Sequence, residues 1–91
     1  MKNKIKKISW FVYILSCADG TLYTGITNDV KKRIKAHNEG KGAKYTRGRG
    51  PVELVFKSSC RNKSGALKKE AKFKKLNKTE KLEIISKYNA K

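Results

Sequence analysis

The sequence predicts an α+β fold, a small antiparallel three-stranded sheet packed by helices in the order β-β-α-β-α-α. Two observations carry that reading. The runs SWFVYILSC (residues 9–17) and TLYTGI (residues 21–26) are rich in β-branched and aromatic residues and flank Ala18-Asp19-Gly20, a hairpin signal. The segments around residues 27–40, 64–76 and 78–88 carry helix caps and stops instead. A sheet covered by helices is the architecture that buries the apolar faces of both.

Taken in order, residues 1–8 alternate lysine with isoleucine and read as a frayed basic lead-in, residues 9–88 as one domain, and 89–91 as a short tail. The hairpin admits two registers. A two-residue turn at Asp19-Gly20 puts Tyr13 and Tyr23 on opposite faces. A three-residue loop with Gly20 left-handed sets Tyr13 opposite Gly25 and Leu15 opposite Tyr23, so that the tyrosines share a face. Both loops suit the residues. Helix one opens at the cap-rich Thr27-Asn28-Asp29 and stops at Gly40, with Val30, Arg33, Ile34 and His37 as its inward stripe. GKGAKYTRGRG (residues 40–50) holds four of the seven glycines together with Lys41, Lys44, Arg47 and Arg49, and reads as a mobile basic loop. Pro51 opens the third strand, PVELVFKSS, with Val52, Leu54 and Phe56 expected on one face. Helix two is expected from Ser64 or Gly65 to about Leu76, and helix three from Lys78 to about Tyr88, with Asn77 and Glu80 at capping-box spacing.

Charge narrows the function classes. Lys and Arg number 24 against 7 Asp and Glu, a formal net charge of +17. Such a chain repels itself, and the charge makes sense mainly opposite a polyanion. Disorder is the competing explanation of that composition, and WFVYIL and VELVF are too apolar for a solvated tail. The apolar run after the basic start is six residues, too short for a signal-peptide core or a membrane span. Cys17 and Cys60 lack C-x-x-C spacing, so free thiols in a reducing cytoplasm are expected.

Five residues stand out chemically. With Leu67 set to zero and 100° per residue, Ala66 falls near ~260°, Phe73 near ~240° and Glu70 near ~300°, inside the helix's apolar arc. An ion pair with Lys74 four residues on is the plain explanation, but an exposed pair contributes only about 0.3–0.5 kcal/mol. Metal ligation gives a carboxylate at the edge of a core a stronger reason. Tyr13 and Tyr23 are each compatible with ordinary strand packing, His37 with the helix C-terminal dipole, and Arg33 with a solvated surface. Gly25 inside a strand packs nothing and marks a place where a ligand or backbone comes close. Arg33 and His37, four apart, share one helix face. Order and spacing single these residues out where composition does not.

FVY (residues 11–13), YTG (residues 23–25), Arg33, His37 and Glu70, from about Trp10 to Ile85, resemble the GIY-YIG nuclease family, most closely its small stand-alone members. The sequence departs from that family's pattern at Phe11, where the first glycine would stand, at Thr24 for the second isoleucine, and at Ile26, where a cation is frequent. Asn77 lies near the place of an asparagine found after the metal-binding glutamate in many members, and helix capping accounts for it equally well. The resemblance implies a divalent-metal-dependent endonuclease hydrolysing DNA phosphodiester bonds, structure-selective in repair or recombination. It implies Mg²⁺ or Mn²⁺ on Glu70, Arg33 on the phosphate, and Tyr13 as general base helped by His37 and Tyr23, with nearby cations favouring its phenolate. Gly25 then leaves room for the sugar-phosphate backbone, and Lys41, Lys44, Arg47 and Arg49 grip nucleic acid. DNA is the partner implied, with RNA next. The rival reading is a nonenzymatic basic DNA- or RNA-binding domain of the same fold, which the charge supports and retention of all five site residues opposes.

Overall fold

The computed structural model describes residues 9–42, 46 and 48–90. The expectations for residues 1–8, Lys44, Arg47 and Lys91 lie outside the described residues. The elements are β1 (Trp10–Ser16), β2 (Leu22–Thr27), α1 (Val30–Asn38), β3 (Glu53–Cys60), α2 (Lys63–Lys74) and α3 (Lys78–Asn89). The sheet is antiparallel in the order β2-β1-β3.

The hairpin takes the three-residue loop. Gly20 N–H donates to the Cys17 carbonyl at 2.9 Å, Cys17 N–H donates to the Thr21 carbonyl at 2.8 Å, and Gly20 sits at φ +86°. Only a residue without Cβ enters that left-handed turn readily. The register that follows places Tyr13 opposite Gly25 and Leu15 opposite Tyr23.

β1 is the central strand, and Val12, Tyr13, Ile14 and Leu15 are all buried because helices cover both faces. Val12 and Ile14 join Phe56, Ala66, Phe73 and Ile85 in the larger cluster, beneath α2 and α3. Tyr13 and Leu15 join Cys17 and Val52 on the other side, with Tyr23, Ile34 and Leu54 packed against them. Each fully buried aliphatic side chain stabilises the fold by about 1.5–3 kcal/mol.

The single stripe expected for β3 does not form. The pairing slips between Ile14, opposite Phe56, and Leu15, opposite Leu54, so one extra residue of β3 is accommodated there. Leu54 and Val52 pack into the smaller cluster, whereas Val55 and Phe56 both pack into the larger one. Phe56 meets Phe73 and Tyr88 with ring centroids 5.5 and 5.2 Å away. One strand thereby serves two cores, which strict alternation cannot do.

Side chains cap each helix. Asp29 accepts from Lys32 N–H at 3.1 Å and starts α1, and Gly40 follows its end at φ +76°. Asn62 accepts from Gly65 N–H at 2.8 Å, which starts α2 just before the expected Ser64. Asn77 and Glu80 form a complete capping box at 2.8 and 3.0 Å, so the Asn77 side chain is committed to α3. The apolar arc of α2 is narrower than expected. Leu67 is 46% exposed, and Ala66 and Phe73 carry the buried face with Glu70 at its margin.

Candidate active site

The hairpin register and the α1 stripe bring four of the five singled-out residues into one cluster. Tyr13 and Tyr23 stand on the sheet face covered by α1, with ring centroids 6.3 Å apart. Arg33 and His37 project onto them from α1. The Tyr13 hydroxyl lies 3.0 Å from His37 Nε2 and accepts a longer bond from Arg33 Nε at 3.4 Å. The Tyr23 ring lies 5.3 Å from the imidazole. A phenol, an imidazole and a guanidinium thus meet at one oxygen atom.

Two further residues hold the imidazole, and the sequence reading missed both. Thr46 is buried, and its Oγ1 lies 2.7 Å from His37 Nδ1. Gly42 lies so close that a Cβ there would overlap His37 Nδ1 and Cγ. The signal was present in the glycine-rich stretch after α1, which chain composition marks as a loop without showing what it packs against. Where described, that stretch is anchored rather than loose: Arg49 N–H donates to the Thr46 carbonyl at 3.0 Å, and Ala18 N–H donates to the Arg49 carbonyl at 2.8 Å. Asn38 Oδ1 accepts from Val52 N–H at 2.6 Å and ties the exit of the stretch to α1. Gly25 was expected to leave room for a sugar-phosphate backbone, but a side chain of the protein itself occupies that room. The space beside it is filled by the Tyr13 phenol, whose oxygen would lie 2.6 Å from an added Cβ.

Burial sets the protonation states. His37 is held below its usual pKa, first by burial and then by the Arg33 charge, so the imidazole is neutral at pH 7. Arg33 is held above its usual value, first by its hydrogen bond to Tyr13. Tyr13 was expected to be favoured as phenolate by nearby cations. Its pKa is instead raised, because the loss of hydration on burial outweighs the Arg33 hydrogen bond, and Tyr23 and Glu70 add to the rise. The resting cluster is a protonated phenol against a neutral imidazole.

Glu70 projects from α2, with its side chain 18% exposed, and pairs with Lys74 Nζ at 3.3 Å. Its charge reaches the Tyr13 phenol, whose proton it helps retain. Among the described residues, no three His, Cys, Asp or Glu side chains gather as a metal cage. A lone carboxylate suits Mg²⁺, which takes one or two carboxylates and fills its octahedron with water and substrate phosphate oxygens. The pair Glu70 makes now involves a lysine that is 54% exposed, a weak competitor for a cation. The donor set fits a substrate-completed site. Lys41 is exposed just beyond α1. The Arg49 guanidinium bonds Asp19 Oδ2 at 2.5 Å in the hairpin turn.

Fold and site together define a small basic α+β domain in which a phenol, an imidazole and a guanidinium converge on one face of the sheet. The GIY-YIG catalytic domain matches residues 9–89, and the chain belongs to that nuclease family. Similar proteins are themselves small. The UPF0213 protein CPE1444 of Clostridium perfringens is 58% identical over 76 residues, covering 84% of this chain and 82% of its own. The UPF0213 protein SAG0778 of Streptococcus agalactiae is 48% identical over 82 residues, covering 90% and 93%. The solution structure of the UPF0213 protein BH0048 of Bacillus halodurans superposes with a TM-score of 0.56 at 49% identity, covering 86% of this chain and 83% of that one. That of the protein EF2693 of E. faecalis gives 0.62 at 36% identity, covering 100% and 94%.

Proposed function

We propose that the chain is a divalent-metal-dependent endonuclease that hydrolyses DNA phosphodiester bonds, selecting substrates by structure in DNA repair or recombination. The observation that carries this reading is the Tyr13 hydroxyl held at 3.0 Å from a neutral His37 with Arg33 beside it. The relay uses the tautomer with the proton on His37 Nδ1, for which Thr46 Oγ1 at 2.7 Å is the acceptor, so that Nε2 accepts the phenol proton. As water attacks phosphorus, Tyr13 takes a proton from the water and passes its own to His37 Nε2. The new P–O bond forms while the bond to the leaving oxygen breaks. A proton relay of this kind needs no resting phenolate, in keeping with the raised Tyr13 pKa. Arg33 holds the non-bridging oxygens as negative charge grows and steadies the transient phenolate. Tyr23 closes the aromatic wall beside the imidazole. A divalent cation on Glu70 supplies charge stabilisation for the phosphate and the leaving oxygen.

The two free thiols, Cys17 and Cys60, suit a reducing cytoplasm, and no helix among the described residues is long and apolar enough to cross a membrane. The test is cleavage of duplex, nicked, branched and single-stranded DNA, and of RNA, with and without Mg²⁺ or Mn²⁺. Metal-dependent cleavage of at least one DNA is expected. Salt-sensitive binding of all of them, with no cleavage in either metal, would leave the nonenzymatic binding domain standing instead.

A further inference from the structure

The free edge of the sheet carries a second feature that the catalytic cluster does not use. β2 is an edge strand, so one side of its backbone has no strand partner among the described residues. Two adjoining cavities of about 210 and 410 Å³ lie along it, sharing Leu22 and Lys81. The first is lined by Thr21, Leu22, Lys78 and Lys81, the second by Leu22, Tyr23, Thr24, Lys74 and Lys81. No carboxylate lines either one among the described residues. Three ammonium groups therefore face a groove whose floor is the strand that delivers Tyr23 to the catalytic cluster.

The two ends of the groove are fixed. At one end Lys74 holds Glu70 at 3.3 Å, beside the expected cation position. At the other, Lys78 Nζ donates to the Gly20 carbonyl at 3.0 Å, which pins α3 to the hairpin turn. Lys81 is half-buried between them and pairs with no acid among the described residues. A lysine buries its stem along apolar surface and keeps its charged head in water, so Lys81 offers the groove a cation that no carboxylate among the described residues neutralises. From Tyr23 to Thr21 the strand advances about 7 Å at the usual rise, about two repeats of one nucleic-acid strand along a duplex axis.

We infer that this groove is a phosphate track for the sugar-phosphate backbone flanking the reacting phosphate, with Lys78 and Lys81 as its contacts and the Leu22 side chain as its apolar floor. The inference rests on the nuclease reading for the direction of the strand, but the groove binds its ligand with or without cleavage. Lysine forms point-charge contacts to phosphate and reads no bases, so the track fixes register and not sequence.

The test compares charge-matched variants in the intact protein. Lys78→Gln/Lys81→Gln removes two charges from the groove and leaves polar, uncharged side chains in their place. Lys68→Gln/Lys72→Gln removes two from α2, where both lysines are exposed and line a different hollow. Binding of a fluorescein-labelled Y-forked DNA is followed by anisotropy across a salt series in EDTA, beside cleavage in Mn²⁺. The groove variant is expected to flatten the slope of log K against log salt by about 1.4–1.8, the release of counterions from two phosphates. The α2 variant should flatten it by less than half as much. Equal slopes for the two variants would reduce the groove to indiscriminate surface charge, and an unchanged slope in the groove variant would empty it. Wild-type protein that binds with the expected slope difference but never cleaves overturns the nuclease reading and keeps the track. Cleavage with equal slopes does the reverse.

Discussion

Replacing Gly25 with alanine sets two effects against each other, and the structure decides between them. Glycine in a strand is worse than alanine by about 0.5–1 kcal/mol on conformational grounds, so the substitution has a favourable part. The added Cβ would lie 2.6 Å from the Tyr13 oxygen, 2.8 Å from its Cζ and 3.0 Å from Tyr23 Cε2. Ordinary contact begins near 3.4 Å, so the Tyr13 oxygen must retreat by about 0.8 Å, which is 3.4 less 2.6. That oxygen is no loose end, since the ring is 1% exposed and its hydroxyl is bonded to His37 and Arg33. Overpacking of this kind costs about 1–3 kcal/mol, leaving a net loss of about 0–2.5 kcal/mol in a urea melt. Activity should fall much further, because displacement of a reacting group by about 1 Å can lower a rate by ~10²-fold. The assay is metal-dependent cleavage beside the His37 ring ¹⁵N shifts, which report the loss of the Tyr13 bond. A Gly25→Ala protein that cleaves at the wild-type rate with unaltered His37 shifts would refute the packing argument and the relay with it.

Glu70→Ala should abolish cleavage while binding in metal-free buffer persists or strengthens, and a circular dichroism melt should change little, because the Lys74 pair contributes only about 0.3–0.5 kcal/mol. Unchanged cleavage would exclude Glu70 as the metal ligand. Thr46→Val removes the Nδ1 partner of a buried imidazole and should destabilise by about 1–3 kcal/mol, shift the His37 tautomer in ¹⁵N spectra and slow cleavage. Thr46→Ser should restore all three, and a wild-type tautomer in the valine variant would contradict the orienting role. The pKa of His37 is depressed by burial, so the folded state binds fewer protons than the unfolded chain as pH falls below about 6.5. Stability is therefore full above that pH and declines as pH drops toward the folded value. Cleavage should share the acid limb, since a protonated imidazole accepts nothing, and a rate that holds steady well below the onset of acid unfolding would contradict the relay.

The residue types decided the elements. β-branched and aromatic runs around Asp19-Gly20 read as a hairpin, and Asp29 and the Asn77–Glu80 box start helices where they do because these caps reach only three residues along the chain. The presence of a +17 surface was equally local arithmetic. Tertiary structure decided what local chemistry left open. Both hairpin loops suited Ala18-Asp19-Gly20, and the register that unites Tyr13 with Tyr23 is the one in which the tyrosines and Leu15 bury together against Ile34. The bulge that divides β3 between two clusters answers to Phe73 and Tyr88, which lie far along the chain. Thr46 and Gly42 looked like loop residues because their meaning is a contact with one imidazole on α1. The protonation states followed the same rule. The general-base role implied by the resemblance called for nearby cations to favour a phenolate, yet desolvation depends on what surrounds an atom in space, and burial outweighed the nearby charge at Tyr13.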